Sequence, residues 1–248
     1  MRLPENSPAV MNNLARRLGL SGNLEFYDVF TLDNPESSDI PRPVHAILAI
    51  IPLTTAWEKV RADEDGGVNN ATATPVMWFK QTIPHACGVI GLLHCLFNGP
   101  AARKLLPGSL LDRLRQSALP LSTQERSVLL EQSNELFEAN EVAAAIGDTA
   151  APSLESAERL GQHFVAFVKG DDGHLWELEG SRSGPLDRGT VDEDEDAFSP
   201  RAIKLGIGKL IAQELAAGGD LRFSCIALAP RREGFTKGVT VPQGSSEK

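Results

Sequence analysis

Cysteine is scarce in this 248-residue chain, present only as Cys87, Cys95 and Cys225. An odd, low count at this length excludes a dense disulfide framework and points to reduced thiols, in the cytoplasm or also the nucleus. No CxxC or clustered Cys/His spacing occurs, which argues against a structural zinc site. Long hydrophobic runs are missing too. The longest are about ten residues, too short to span a bilayer. The opening residues, Met1 to Asn6, lack the apolar core of a secretory signal. Positive charge is outnumbered: 24 Lys and Arg against 33 Asp and Glu give a net charge of -9. That balance argues against binding nucleic acid or an anionic membrane, and suits a soluble protein that meets a basic partner. No internal repeat is present.

Hydrophobic residues make up 42% of the chain, enough for a substantial core. The length fits one large domain, expected over residues 1–230, better than two. Ser7-Pro8 starts a helix that runs to Leu18 and ends at Gly19. Leu24 to Leu32 is rich in strand formers. After the break at Pro41-Arg42-Pro43, Val44 to Ile51 reads as a central strand buried on both faces. Residues 54–64 read as a short helix, and Asp65 to Thr74 as a loop. Cys87 to Asn98 carries apolar residues around the whole helical wheel, and such a helix must be buried. Helices follow near 109–117 and 122–138, the second opened by a Ser122/Glu125 capping box. A loop begins at Gly147 and extends toward Gly161. His163–Val168 and His174–Leu178 form a hairpin. The acid run Asp192–Asp196 reads as a solvated loop. A helix over 201–217 and a strand over Leu221–Ala229 complete the domain, and 231–248 reads as a frayed tail. Strands scattered between helices predict a mixed α/β domain.

Chemistry concentrates at Cys87. Thiolate, not thiol, is the useful nucleophile, and a helix N-terminus or a nearby imidazolium favours it. Cys87 begins a buried helix, where unpaired N–H groups and the helix dipole favour negative charge. The same N–H groups can serve an oxyanion, and upstream Gln81 can bring a side-chain amide to the same spot. The plainer reading of a lone cysteine is a small buried hydrophobe. Cys95, in mid-helix, and Cys225, alternating in a strand, fit that reading better than Cys87 does.

Five histidines compete as the base. His94 lies two helical turns from Cys87, roughly 10 Å, too far for a hydrogen bond. His85 sits on a strained approach to the helix. His45 lies in the apolar strand and reads as a core residue, and His174 starts the second hairpin strand. His163 opens a strand after a long loop, where a side chain can face a cleft. Hairpin geometry supplies a carboxylate. A three-residue loop, Asp171-Asp172-Gly173, with Gly173 left-handed, pairs Gly170 with His174 and sets Val165 opposite Glu179. His163 and Glu179 then become diagonal neighbours, roughly 7–8 Å apart between backbones. A two-residue loop turns Glu179 to the other face. The plainer reading of Glu179 is a surface acid at a strand end.

Gln81-Thr82-Ile83-Pro84-His85-Ala86-Cys87-Gly88-Val89-Ile90-Gly91-Leu92-Leu93-His94 closely resembles the active-site segment of the ubiquitin C-terminal hydrolases. His163 to Val168 and Gly173 to Gly180 resemble the family's histidine and acid segments. Phe26-Tyr27-Asp28-Val29, Pro41-Arg42-Pro43-Val44 and Leu221-Arg222-Phe223 extend the likeness, in order, over most of the chain. It is nearest the short, single-domain members. The resemblance implies a papain-like α/β fold with a central antiparallel sheet between helices and a knotted backbone. It implies a monomeric thiol hydrolase, without cofactor or metal, acting on ubiquitin or its small or flexible C-terminal adducts. In it Cys87 is the nucleophile, His163 the general base and acid, Glu179 the orienting carboxylate, and Gln81 part of the oxyanion hole. The segment near 140–161 matches a crossover loop that restricts large leaving groups. One departure stands out: the family normally has aspartate where this chain has Glu179, and the turn before it is one residue longer. Glutamate can orient an imidazolium, as in Ser-His-Glu triads. Pro84 and His85 depart from the family's usual small residues or Asn. Alternatives are a ubiquitin-binding protein weakened in catalysis by Glu179, and a protease for another ubiquitin-like modifier.

Overall fold

The apolar run after the Pro41–Pro43 break forms β2 (Ala46–Pro52), with near-continuous burial along its length. It lies inside a six-stranded sheet whose paired strands are all antiparallel. The other strands are β1 (Leu24–Asp28), β3 (Gln162–Lys169), β4 (His174–Leu178), β5 (Leu186–Thr190) and β6 (Ser224–Pro230). Their order across the sheet is β1-β6-β2-β3-β4-β5. This computed structural model describes residues 2–67, 74–147 and 161–232. The proposed frayed tail therefore lies almost wholly outside the described residues, as does most of the loop expected after Gly147.

Both faces of the sheet are covered. Along β3, Phe164, Ala166 and Val168 enter one core, and Val165 and Phe167 enter the other. The first core is built on α1 (Pro8–Leu18) and α3 (Cys87–Phe97). α1 starts and stops where the sequence sets it, with Ser7 accepting from the Val10 N–H and Gly19 left-handed at φ 114°. Every residue of α3 is buried. Gly91 lets this helix lie directly on the sheet, since a Cβ there would stand 2.8 Å from Leu48 Cδ1. α4 (Leu110–Ala118), α5 (Thr123–Glu131) and α6 (Asn134–Ala144) border the same side. The second core lies beneath α2 (Thr55–Asp65), α7 (Pro200–Leu205) and α8 (Ile207–Ala217). Among the described residues, no helix is long and apolar enough to cross a membrane.

Several boundaries differ from the sequence reading. The helix expected over 122–138 is two helices, α5 and α6, parted at Gln132-Ser133. The break redirects the chain so that Leu136 and Ala143 join the core with α1. The helix expected over 201–217 is also two, α7 and α8. They part at Gly206 (φ -98°, ψ -110°), where a Cβ would stand 2.8 Å from Phe167 Cδ1. That closeness admits only glycine at the break, a constraint invisible to periodicity. β1 stops at Asp28, short of Leu32. β5 went unread because its residues, Leu-Asp-Arg-Gly-Thr, carry little strand propensity. The acid run is not wholly solvated. Asp196 pairs with Arg42 at 2.6 Å and accepts from the Val44 N–H at 2.8 Å.

Candidate active site

α3 is anchored through the few polar residues on it. Asn98, at its C-terminus, accepts from the Met77 N–H at 2.6 Å and donates to the Met77 carbonyl at 2.9 Å. His94 accepts from the Phe79 N–H through Nε2 at 3.0 Å, and its Nδ1 donates to the Leu178 carbonyl at 3.2 Å. Both ring nitrogens are thereby used in the neutral form, and burial holds the pKa down to about 4. His94, set aside as a base by distance, instead clamps the segment entering the site. The sequence carried a signal for this: a polar side chain on an otherwise apolar buried helix must find partners.

The clamped segment delivers Gln81. Its N–H donates to the Gly180 carbonyl at 2.8 Å, while its side-chain Oε1 is buried without a hydrogen-bond partner. Two neighbours reach the same turn. Trp78 Nε1 donates to the Glu179 carbonyl at 3.0 Å, and Lys80 Nζ to the carbonyls of Ser181 (3.0 Å) and Arg182 (2.6 Å). His85, expected to sit on a strained approach, takes the left-handed conformation at φ 61°, unusual for a residue with a Cβ. The chain then enters α3 at Cys87, which is 7% exposed. The N-cap is Ala86, whose side chain bonds none of the N–H groups of the first turn.

The hairpin has the register of the three-residue loop. Gly170 N–H donates to the His174 carbonyl at 2.8 Å, and Gly173 is left-handed at φ 77°. Ala166 pairs with Leu178 and Lys169 with Leu175, so the next step along the ladder sets Val165 opposite Glu179. His163 and Glu179 do meet. Nε2 lies against Oε1 in a close ion-pair contact, although off the direction of an aligned hydrogen bond. The imidazole is nearly buried and the carboxylate wholly so.

Electrostatics follow from this packing. Burial alone would discharge His163. The Cys87 thiol beside it and the Glu179 carboxylate outweigh burial and push its pKa up to about 10. For Glu179, burial would raise the pKa, but His163 and two bonds from Ser181 hold it at about 2. Those bonds run from Ser181 N–H to Oε1 at 2.6 Å and from Ser181 Oγ to Oε2 at 2.8 Å. The structure thus brings Cys87, His163 and Glu179 together, with Gln81 joined to the Glu179 turn through Gly180.

The remaining thiols and histidines stand elsewhere. Burial alone pushes the Cys95 thiol far up and that of Cys225 to about 12. His45 lies just ahead of β2, buried, with its pKa lowered by desolvation. His174 Nδ1 pairs with Asp187 at 2.9 Å on the surface. Sequence reasoning missed the charged cluster behind the acid turn. Arg182, fully buried, bonds Glu177, Glu64 and Asp65, and Arg188 bonds Glu64 and Glu177. These partners are far apart in sequence and meet only through packing of α2 against the β4–β5 turn.

Comparison with known proteins agrees with the architecture. Residues 3–212 match the model of "Ubiquitin carboxyl-terminal hydrolase, family 1". Ubiquitin carboxyl-terminal hydrolase 3 of Arabidopsis thaliana is 34% identical over 230 residues, 92% of this chain and 93% of its own length. Ubiquitin carboxyl-terminal hydrolase isozyme L1 of Homo sapiens is 30% identical over 229 residues, 90% of this chain and 96% of its own. Among solved structures, the catalytic domain of Trichinella spiralis UCH37 bound to ubiquitin vinyl methyl ester superposes with a TM-score of 0.69. It is 21% identical and covers 93% of this chain and 95% of that one, a likeness of fold.

Proposed function

The chain belongs to ubiquitin carboxyl-terminal hydrolase family 1, a family of deubiquitinating cysteine hydrolases, and from that premise we propose how its own residues carry out the reaction. Cys87 Sγ attacks the carbonyl carbon of ubiquitin's C-terminal glycine, its proton having passed to His163. The tetrahedral oxyanion is held by N–H groups opening α3 and by the side-chain amide of Gln81. His163 then protonates the departing group as the carbon–leaving-group bond breaks, leaving a thioester. Water, activated by the neutral His163, hydrolyses that thioester and returns the thiol. Glu179 fixes the imidazole's orientation and balances its charge without itself being protonated.

The observation that carries this reading is geometric: a nearly buried imidazole is set between the Cys87 thiol and the Glu179 carboxylate, which together push its pKa up. Perturbation of that kind by specific neighbours is what a nucleophile–base pair requires. We propose small or flexible adducts as substrates, following the family resemblance around 140–161, of which residues 148–160 lie outside the described structure. Ubiquitin is the expected partner, and two of the structural neighbours carry a ubiquitin vinyl methyl ester.

The test uses ubiquitin bearing a fluorogenic C-terminal leaving group, with reductant present. Turnover is expected, with Cys87→Ala abolishing it while ubiquitin binding persists. A ubiquitin-based electrophile should label Cys87, as read by peptide mapping. No turnover, or label elsewhere, refutes the assignment.

A further inference from the structure

Three features have no part in the bond-making steps proposed above. An open cavity of about 630 Å³ at the far end of the sheet is lined by His45, Lys169 and several acids. Its cations are already engaged: Arg103 pairs with Asp171, and Lys169 Nζ donates to the carbonyls of Asp192 (2.6 Å) and Glu193 (3.3 Å). The buried Arg182 cluster is saturated by its own carboxylates. The third feature, the cradle around Glu179, is directional and unexplained by the reaction as proposed.

We propose that Ser181 and Arg61 are positioning residues for the Glu179 carboxylate, a two-residue relay that adapts the site to glutamate. This rests on the catalytic reading of Glu179 above. Arg61, on α2, donates from Nη1 to Ser181 Oγ at 2.7 Å. A guanidinium has no acceptor and holds its protons in proteins. The serine oxygen must therefore accept from Arg61, and its single proton is committed to Glu179 Oε2, at 2.8 Å. Meanwhile the Ser181 N–H holds Oε1 at 2.6 Å, the oxygen that faces His163 Nε2. Each carboxylate oxygen thus has a fixed donor on the side away from the imidazole. Glutamate is a methylene longer than aspartate and has one more torsion to fix. Two donors from one residue, directly after the acid, fold that extra length back.

The relay is itself held on several sides. Arg61 stacks on Trp57, its guanidinium carbon 4.9 Å from the ring centre. Ser181's carbonyl is gripped by Lys80. Among the described residues, Arg61 bonds to Ser181 and Ser181 to Glu179 rather than to the thiol or the imidazole, so their effect must travel through Glu179.

The pH dependence of kcat and KM for fluorogenic ubiquitin, with Ser181→Ala, Ser181→Thr, Arg61→Ala and Glu179→Ala, tests this. The imidazole is faced by Cys87 and Glu179, with the neutral His94 ring nearby. Loss of the serine hydroxyl loosens Glu179 and weakens its support of the imidazolium. The alkaline limb of the profile should therefore move to lower pH. One hydrogen bond to a charged group implies a fall in kcat of about ten-fold or more, with KM little changed. Arg61→Ala should do the same more weakly, and Ser181→Thr, which keeps the hydroxyl, should restore both rate and limb. If Glu179→Ala cripples the enzyme but a folded Ser181→Ala keeps the native profile, the relay is refuted and the triad stands. A fall in kcat with the limb unmoved also refutes it, since a merely structural role predicts that. If Glu179→Ala itself leaves rate and profile intact, the acid assignment falls, and the relay with it.

Discussion

Replacing Glu179 by aspartate, the residue that the family resemblance sets at this position, should harm this enzyme rather than improve it. The cradle is dimensioned for glutamate: Ser181 meets the two carboxylate oxygens at 2.6 and 2.8 Å, and Nε2 of His163 meets Oε1 from the other side. Shortening the side chain by one methylene withdraws the carboxylate by roughly 1.5 Å, the length of one carbon–carbon bond. That opens either the Ser181 bonds or the His163 contact beyond hydrogen-bond range. A lost bond to a charged group costs about 1.5–3 kcal/mol. If that loss falls on the transition state, kcat drops roughly 10- to 100-fold. The His163 pKa, now about 10, should descend toward its ordinary value, which brings the alkaline limb of the rate profile down with it. The assay is hydrolysis of fluorogenic ubiquitin across pH 5 to 10, alongside a denaturant melt to verify folding. Equal or faster turnover by Glu179→Asp would refute the argument. A large gain would favour the other reading of the chain, a ubiquitin binder whose catalysis is impaired by glutamate.

Two further outcomes concern stability. Arg182→Ala strips a fully buried guanidinium from Glu177, Glu64 and Asp65, so that Arg188 alone bridges Glu64 and Glu177 and Asp65 loses its cation. A loss of about 3–5 kcal/mol is expected in urea unfolding, and Arg182→Met should be less damaging only if Glu177 is also made neutral. Acid should act through two buried groups. Glu179, at about 2 when folded and 4.5 as a free carboxyl, stabilises the fold above 4.5 and ceases to as pH falls toward 2. His94, at about 4 when folded and 6.5 ordinarily, binds its proton more readily unfolded, so stability also declines from pH 6.5 downward. Thermal melts should therefore fall progressively below pH 6.5. An unchanged midpoint between pH 6.5 and 4 would contradict the His94 assignment, and an unchanged one between 4.5 and 2 that of Glu179.

The sequence disclosed those parts of the architecture that depend on local rules. Ser7 and Gly19 bracket α1 because a hydroxyl cap and a left-handed glycine solve the two ends of a helix independently of the rest. The hairpin reduced to two registers set by loop length, and the three-residue one, with Gly173 left-handed, is the one that makes His163 and Glu179 diagonal neighbours. What stayed hidden depends on distant closeness. Only glycine fits between α7 and α8 at Gly206, where a Cβ would stand 2.8 Å from Phe167 Cδ1, and nothing near Gly206 in the chain announces that closeness. Ser181 and Arg61 were overlooked for the same reason. A serine in a Gly-Ser-Arg turn looks like any turn residue until α2 brings a guanidinium to its oxygen.

That difference bears on how the site is held together. Cys87 owes its position to the start of α3, a device written locally, whereas the acid depends on contacts gathered from three separate stretches. Trp78 and Lys80 come from the segment clamped by His94 and Asn98, Arg61 from α2, and Ser181 from the turn itself. The same clamp carries Gln81, whose N–H is bonded to Gly180 between Glu179 and Ser181. Displacing the turn therefore disturbs Glu179 and Gln81 together, the proposed orienting acid and oxyanion donor. Substitutions at Gly180 or Ser181 should accordingly prove less additive with changes at Gln81 than with changes on α1, where no partner is shared.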